Sequence, residues 1–328
     1  MGTPPANQKT FQEKYFADVN AFFPTNTRIH VGDTVRFLPV GFHNVHLPKK
    51  GGKALDFLVP AGTSTGEKDA AGNPFWFEGR PTLGFNPVLG PPGQFGKSLS
   101  YNGSKAINTG APLADKPKPV KVKFTKTGTF TYFCDIHTGM KAKVHVVSRR
   151  SSAPSAKAHK AAIARQVKKA ESTAKLLANA KAPSAGVSIG TAGSGGVERY
   201  AFSPSKLNVK VGDTVTFTMA SKSYDVHTAT TGEGDPDKGT GYIGGLAKAF
   251  EGNVFPGAAI YASDNPAQGN ATLTPQSHGN GFWNTGLLDA AGSTSLPKTG
   301  SVKFGAPGTY TFYCLIHPFM KGTVTATA

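Results

Sequence analysis

Two stretches of this 328-residue chain place a cysteine, a histidine and a methionine at one short spacing, Cys134, His137 and Met140 in the first half and Cys314, His317 and Met320 in the second. Both read Cys-x-x-His-x-x-Met, and both follow a segment in which apolar and polar residues alternate as on a β-strand. A thiolate, an imidazole and a weak thioether are the donors wanted by an ion that shuttles between Cu(I) and Cu(II), and a trigonal His₂Cys set with a long axial Met completes that arrangement. Each loop therefore lacks one imidazole, which must arrive from elsewhere in the chain.

The missing histidine is expected on the strand that follows a Gly-Asp-Thr-Val turn. In the second half His227, in Tyr-Asp-Val-His-Thr, is the only histidine there. In the first half the sequence Gly-Phe-His-Asn-Val-His offers His43 and His46, three residues apart, so on an extended strand only one can face the metal. Spacing from the turn favours His46. Local context favours His43, which like His227 is followed by a small polar residue and then an apolar one. His43 is the expected ligand, with His46 left as the alternative.

The elements that must hold these residues come twice. Val31–Phe37 (VGDTVRF) is repeated as Val211–Phe217 (VGDTVTF), Asn108-Thr109-Gly110 as Asn284-Thr285-Gly286, and the segment from Gly128 through Met140 as that from Gly308 through Met320. Such a repeat marks a duplicated domain. Gly 40 and Pro 24, with abundant Thr, Val, Phe and Tyr, suit short strands and irregular turns. The expected fold class is all-β, two Greek-key β-sandwich domains over residues 10–147 and 197–328.

Between them, 148–196 changes character. Residues 156–182 are rich in Ala, Lys, Leu and Gln and read as one helix, with Pro154 near its start and Pro183 just past its end. The expectation is a basic, solvated spacer followed by flexible chain. The net charge of +17 belongs to this connector and to the first half: +9 over 1–147, +8 over 148–196 and zero over 197–328. No nucleic-acid motif accompanies it, so an acidic redox partner or an anionic cell surface is the expected counterpart. No run of about 18 apolar residues suggests a membrane span. The amino terminus lacks an apolar signal core, so an exported protein would have its leader absent from this chain.

The Gly-Asp-Thr-Val turn, the His-Asn-Val or His-Thr strand and the Cys-x-x-His-x-x-Met segment resemble the cupredoxins, the plastocyanin and azurin type of blue copper protein. The short loop, Cys-Leu-Ile-His-Pro-Phe-Met above all, is most similar to that of the amicyanins. The resemblance implies two type 1 copper ions, extracytoplasmic residence and one-electron outer-sphere transfer to redox partner proteins. It further implies that Cys134 and Cys314 carry most of the metal covalency, that His137 and His317 are edge ligands through which electrons pass, and that Met140 and Met320 are axial. Asn44 takes the family position that ties the ligand loops together, where the second half has Thr228. The resemblance covers the ends of each half. The long stretches from His43 to Cys134 and from His227 to Cys314 have no counterpart, and loops this long are often functional.

Rival readings fit less well. A Cys134–Cys314 disulfide ignores the His and Met that each cysteine brings, and zinc is poorly served by Met. A dinuclear copper centre needs two cysteines per loop. Copper oxidases and nitrite reductases place a histidine beside the type 1 cysteine, whereas the neighbours here are Phe133, Asp135, Tyr313 and Leu315, and no His-x-His pair occurs. His30, His46, His145, His159 and His278, and Trp76 and Trp283, default to surface or packing roles. Copper storage or delivery is the non-redox alternative.

Overall fold

Alternation along the strands builds the cores. In Val120–Phe124, Val120, Val122 and Phe124 are buried while Lys121 and Lys123 face water, and in Gly128–Phe133 it is Phe130 and Tyr132 that turn inward. A computed structural model describes residues 1–91, 93–114, 116–219, 223–292 and 294–328. The chain folds as two units. The first comprises Met1–Phe57, Asn86–Asn179 and Ala192–Arg199, the second Leu58–Phe85, Ala180–Thr191 and Tyr200–Ala328.

The first unit holds a five-stranded sheet in the order Asn26–His30, Lys141–Val147, Gly128–Phe133, His46–Leu47, Ile107–Asn108, and a three-stranded sheet in the order Thr34–Phe37, Val120–Phe124, Ser98–Tyr101. Phe37, Val122, Phe124, Phe130, Tyr132 and Val144 share one apolar core with Cys134 and Met140. The second unit repeats the five-stranded sheet as Lys206–Lys210, Lys321–Thr327, Gly308–Tyr313, Thr230–Thr231, Trp283–Asn284. Beside it, residues 187–189, Thr214–Met219, Thr299–Phe304 and Ala271–Leu273 hydrogen-bond in that order. Equivalent strand pairs match in direction: Asn26–His30 runs parallel to the last strand of its half, and so does Lys206–Lys210. The fold is thus mostly β, with few helices.

The Gly-Asp turns are superimposable in their bonding. Gly32 and Gly212 take φ of +92° and +98°, conformations that glycine adopts without steric cost. Their N–H groups donate to Phe124 O and Phe304 O at 2.7 and 2.8 Å. The carboxylates of Asp33 and Asp213 accept from His30 N and Lys210 N at 2.9 and 2.8 Å.

The connector differs from a solvated spacer. An α-helix spans Ala156–Ala178, with the Ser155 hydroxyl accepting from Ala158 N at its start. Val167, Ala170 and Ala174 are buried, and Ala170 and Ala174 pack with Phe11, Tyr15, Ala17, Val19 and Val197 within the first unit. Gln166 fastens the same face, donating to Phe22 O at 2.9 Å and accepting from Thr25 N at 3.1 Å. The helix docks because Val167, Ala170 and Ala174, at i, i+3 and i+7, form an apolar stripe on one face.

Part of the long first-half loop folds with the second unit. Leu58–Thr63 and Pro81–Phe85 form an antiparallel pair, and Phe85 N and Asn253 O, Phe255 N and Leu83 O, bond at 3.2 and 2.9 Å. Between those strands Phe75 and Phe77 enter a core with Ile243, Phe282, Tyr313 and Leu315. The Glu67 carboxylate accepts from Gly257 N and Ala258 N at 2.6 and 2.8 Å, and the Trp76 indole donates to Ala262 O at 2.7 Å.

His278 links this arm to the rest of the unit. Its Nδ1 lies 3.2 Å from Asp69 and its Nε2 3.4 Å from Asp264. Burial opposes the charged ring, but the two carboxylates outweigh it and raise the His278 pKa above its usual value. Burial likewise opposes ionised Asp69 and Asp264, yet hydrogen bonds, with His278 prominent among them, hold both below the usual carboxylate range. A raised histidine stabilises the fold fully below its unfolded pKa of about 6.5 and loses that contribution as pH climbs through the folded value. The lowered carboxylates contribute above their unfolded pKa of about 3.9 and lose it as pH falls. His278→Ala is expected to flatten the alkaline limb of the stability–pH curve, measured by denaturant unfolding from pH 5 to 9; a limb of unchanged slope would show that the link is idle.

Candidate metal centres

Each centre is built from a loop between two paired strands and a side chain delivered across the sheet. In the first unit the loop runs from Gly128–Phe133 to Lys141–Val147, and Cys134 N bonds Met140 O at 3.0 Å while Met140 N bonds His137 O at 3.1 Å. In the second, the same two bonds measure 3.2 and 2.8 Å. The tight loop fixes Cys, His and Met against one another. Met140 and Met320 are buried in the same apolar cores as their cysteines.

The structure brings three donor atoms together in each unit. Cys134 Sγ lies 3.8 Å from His43 Nδ1 and 3.5 Å from His137 Nδ1, with the two nitrogens 2.9 Å apart. Cys314 Sγ lies 3.6 Å from both His227 Nδ1 and His317 Nδ1, with those nitrogens 3.2 Å apart. In the described residues these are the groups of three or more potential ligands close enough to hold an ion. Both cysteines are free thiols. The donor set, one soft sulfur and two imidazole nitrogens in a buried pocket, fits copper.

His46 takes a different post. Its Nδ1 lies 2.9 Å from the Asp135 carboxylate, outside the donor cluster. Asp135 also accepts from Leu55 N, Asn44 Nδ2 and Asn108 Nδ2 at 2.8 to 3.0 Å. Burial works against this carboxylate's charge, but His46 and the other donors more than offset it and hold its pKa below the usual range. His137 is only 7% exposed, so it is enclosed rather than standing at an open edge; the His317 side chain retains 16%.

Across the sheet, Asn44 and Thr228 do the same work by different means. Asn44 Oδ1 accepts from Asp135 N at 2.7 Å, and Thr228 Oγ1 accepts from Leu315 N at 2.9 Å. Thr228 N also points at Cys314 Sγ, 3.4 Å away, a bond that favours a thiolate. The Asn-Thr-Gly repeats back both arrangements. Thr109 Oγ1 accepts from Val45 N and Thr285 Oγ1 from Ala229 N, each at 2.9 Å, pinning the residue two beyond His43 and His227. Gly110 and Gly286 follow at φ +68°, and a Cβ on Gly286 would meet Tyr261 backbone at 2.5 Å.

The cysteine and a histidine of the second centre form a charged pair. Burial opposes ionisation of Cys314, but His227 and His317 outweigh it and hold the thiol well below its usual range. Burial also opposes charge on His317, yet Asp225 and Cys314 push its pKa up to about 10. Cys314 thus stands as a thiolate, the form that binds metal, while His317 must give up a proton before it can do so.

Residues 190–327 match the family of copper-binding proteins of the plastocyanin/azurin type. This part of the chain is similar to the cupredoxins. A second comparison finds Amicyanin-alpha of Methylorubrum extorquens 67% identical over 27 residues, 8% of this chain and 23% of that protein, so the match spans about a quarter of the relative's length. Among solved structures, plastocyanin from Dryopteris crassirhizoma is 23% identical, covering 44% of this chain and all of its own at a TM-score of 0.23. A purple cupredoxin from Nitrosopumilus maritimus is 19% identical over 44% of this chain and 99% of its own, with a TM-score of 0.22. The His, Cys and His donors of the second unit recur in the first, in the same order along the chain.

Sequence reasoning missed the Asp225 carboxylate beside His317, although Tyr-Asp-Val-His sets it two residues before the candidate ligand His227. No helix among the described residues is long and apolar enough to cross a membrane.

Proposed function

We propose that the chain carries single electrons through two copper ions, one held by His43, Cys134, His137 and Met140, the other by His227, Cys314, His317 and Met320. The corresponding cupredoxin domains are 10–147 and 197–328, with 148–196 as connector. The observation that supports this most directly is the duplicated convergence of one sulfur and two imidazole nitrogens, with a buried methionine in each loop. Bound there, copper supplies a one-electron couple between Cu(I) and Cu(II).

The chain's part is to keep the donors still and dry. His43, Cys134, His227 and Cys314 are at most 2% exposed, and the Asn44 and Thr228 bonds lock one ligand strand to each loop. Side chains fixed by packing and hydrogen bonds move little when the charge between them changes, so the barrier to electron exchange is small. Phe319, 56% exposed and with its ring 6.1 Å from that of His317, offers an apolar rim for a partner. The positive charge of the first half and connector suits an acidic redox protein or an anionic cell surface, and residence outside the cytoplasm agrees with that. Phe133, Asp135, Tyr313 and Leu315 offer no imidazole bridge from either cysteine to a further metal, so a carrier is favoured over an oxidase or reductase.

Copper titration with visible spectroscopy tests the reading. Two equivalents per chain, intense blue absorption from a Cu(II)–thiolate and reversible bleaching by a one-electron reductant are expected. A colourless copper-loaded protein would refute it, and ready loss of copper to a chelating partner with sluggish electron exchange would favour storage or delivery instead.

A further inference from the structure

We infer that Asp225 is a positioning residue for His317 and, braced by Tyr200, sets the copper affinity and reduction potential of the second centre. The inference rests on the reading of that centre as a copper site. The Asp225 carboxylate lies 3.4 Å from His317 Nε2, and its side chain is 9% exposed. The other ring nitrogen, Nδ1, is the one that faces Cys314 Sγ and His227 Nδ1. The Tyr200 hydroxyl donates to Asp225 Oδ2 at 3.1 Å, while its ring lies edge-on against His317 with centroids 4.9 Å apart. The imidazole is thus clasped between a carboxylate and an aromatic ring on one side and the donor cluster on the other.

A carboxylate that accepts the proton of one ring nitrogen fixes the tautomer, leaves the lone pair on the other nitrogen, and makes the ring a stronger donor. Stronger donation, with a negative charge close by, favours the more highly charged oxidation state. It therefore tightens Cu(II) binding and lowers the reduction potential. The first half has Gly41 at the equivalent place, two residues before His43. Its own buried carboxylate, Asp135, sits beside the cysteine, where the second half has Leu315, and is engaged with His46, Leu55 N, Asn44 and Asn108. The two centres are tuned by charges placed on different ligands.

The test uses the full chain carrying Cys134→Ser, which silences the first centre. In that background Asp225→Asn is expected to weaken Cu(II) binding by about 10–100-fold and to raise the potential, each tenfold loss selective for Cu(II) corresponding to about 59 mV for a one-electron couple. Tyr200→Phe, which keeps the ring and loses only the hydroxyl, should shift both in the same direction by less. In the metal-free protein, nitrogen NMR of the His317 ring taken above its pKa of about 10, where the ring carries one proton, should show that proton on Nε2, and a mixed tautomer once Asp225 is asparagine. Unchanged affinity and potential in both variants, or weaker binding with no change in potential or tautomer, would overturn the inference while leaving the copper reading intact. A second centre that takes no copper in the unaltered chain would overturn both.

Discussion

Replacing Cys314 by serine is expected to leave one copper per chain, held by the first centre, with that centre's blue absorption as the only visible band. The Cys314 thiol is poised as a thiolate by His227 and His317 and receives Thr228 N. A serine hydroxyl fills nearly the same space but stays neutral and offers a hard oxygen, so the fold is preserved while the soft anionic donor is lost. Cys134→Ser should do the same to the first centre, and the double variant should be colourless. The histidines sharpen the test. His43→Ala should abolish the first band, because His43 Nδ1 is one corner of that donor cluster. His46→Ala should leave the band in place, because His46 is bonded to Asp135. Metal analysis and visible spectra of purified variants decide it; a blue band surviving in the double cysteine variant would remove the basis for both centres.

What could be read in advance was what is local. Cys, His and Met lie within seven residues of chain on one loop, so their convergence needs only the turn they sit on, and periodicity supplies the flanking strands. The choice between His43 and His46 turned on two residues of context, and the strand geometry that forbids both from facing one way made it a real choice. The role of Asn-Thr-Gly was harder. Its repetition was visible, but that Thr109 and Thr285 each grip the ligand strand through a side-chain oxygen depends on pairing between distant segments. The docking face of the connector helix was hidden because Ala170 and Ala174 read as helix formers rather than as core residues. Asp225 looked like a polar strand residue until His317, 92 positions later in the chain, was placed beside it.

Least legible was the allegiance of Leu58–Phe85, which the sequence places inside the first half and the structure assigns to the second unit. Phe77 gives the measure of how much depends on it. Its side chain is fully buried, stacks on Tyr261 with centroids 5.4 Å apart and on Phe75 at 4.8 Å, and shares its core with Tyr313 and Leu315, the two neighbours of Cys314. Phe77→Ala is expected to destabilise the second unit by about 3–5 kcal/mol, the transfer cost of the ring plus the cavity it leaves. The loss should fall on the unfolding transition that carries the second centre's copper, because that core holds both chain neighbours of Cys314, and the first centre's transition should keep its midpoint. Denaturant unfolding of the copper-loaded chain, followed in each single-cysteine variant so that one blue band reports on one unit, separates the two. Equal shifts of both bands, or a shift confined to the first, would mean that the arm stabilises the half in which its sequence lies.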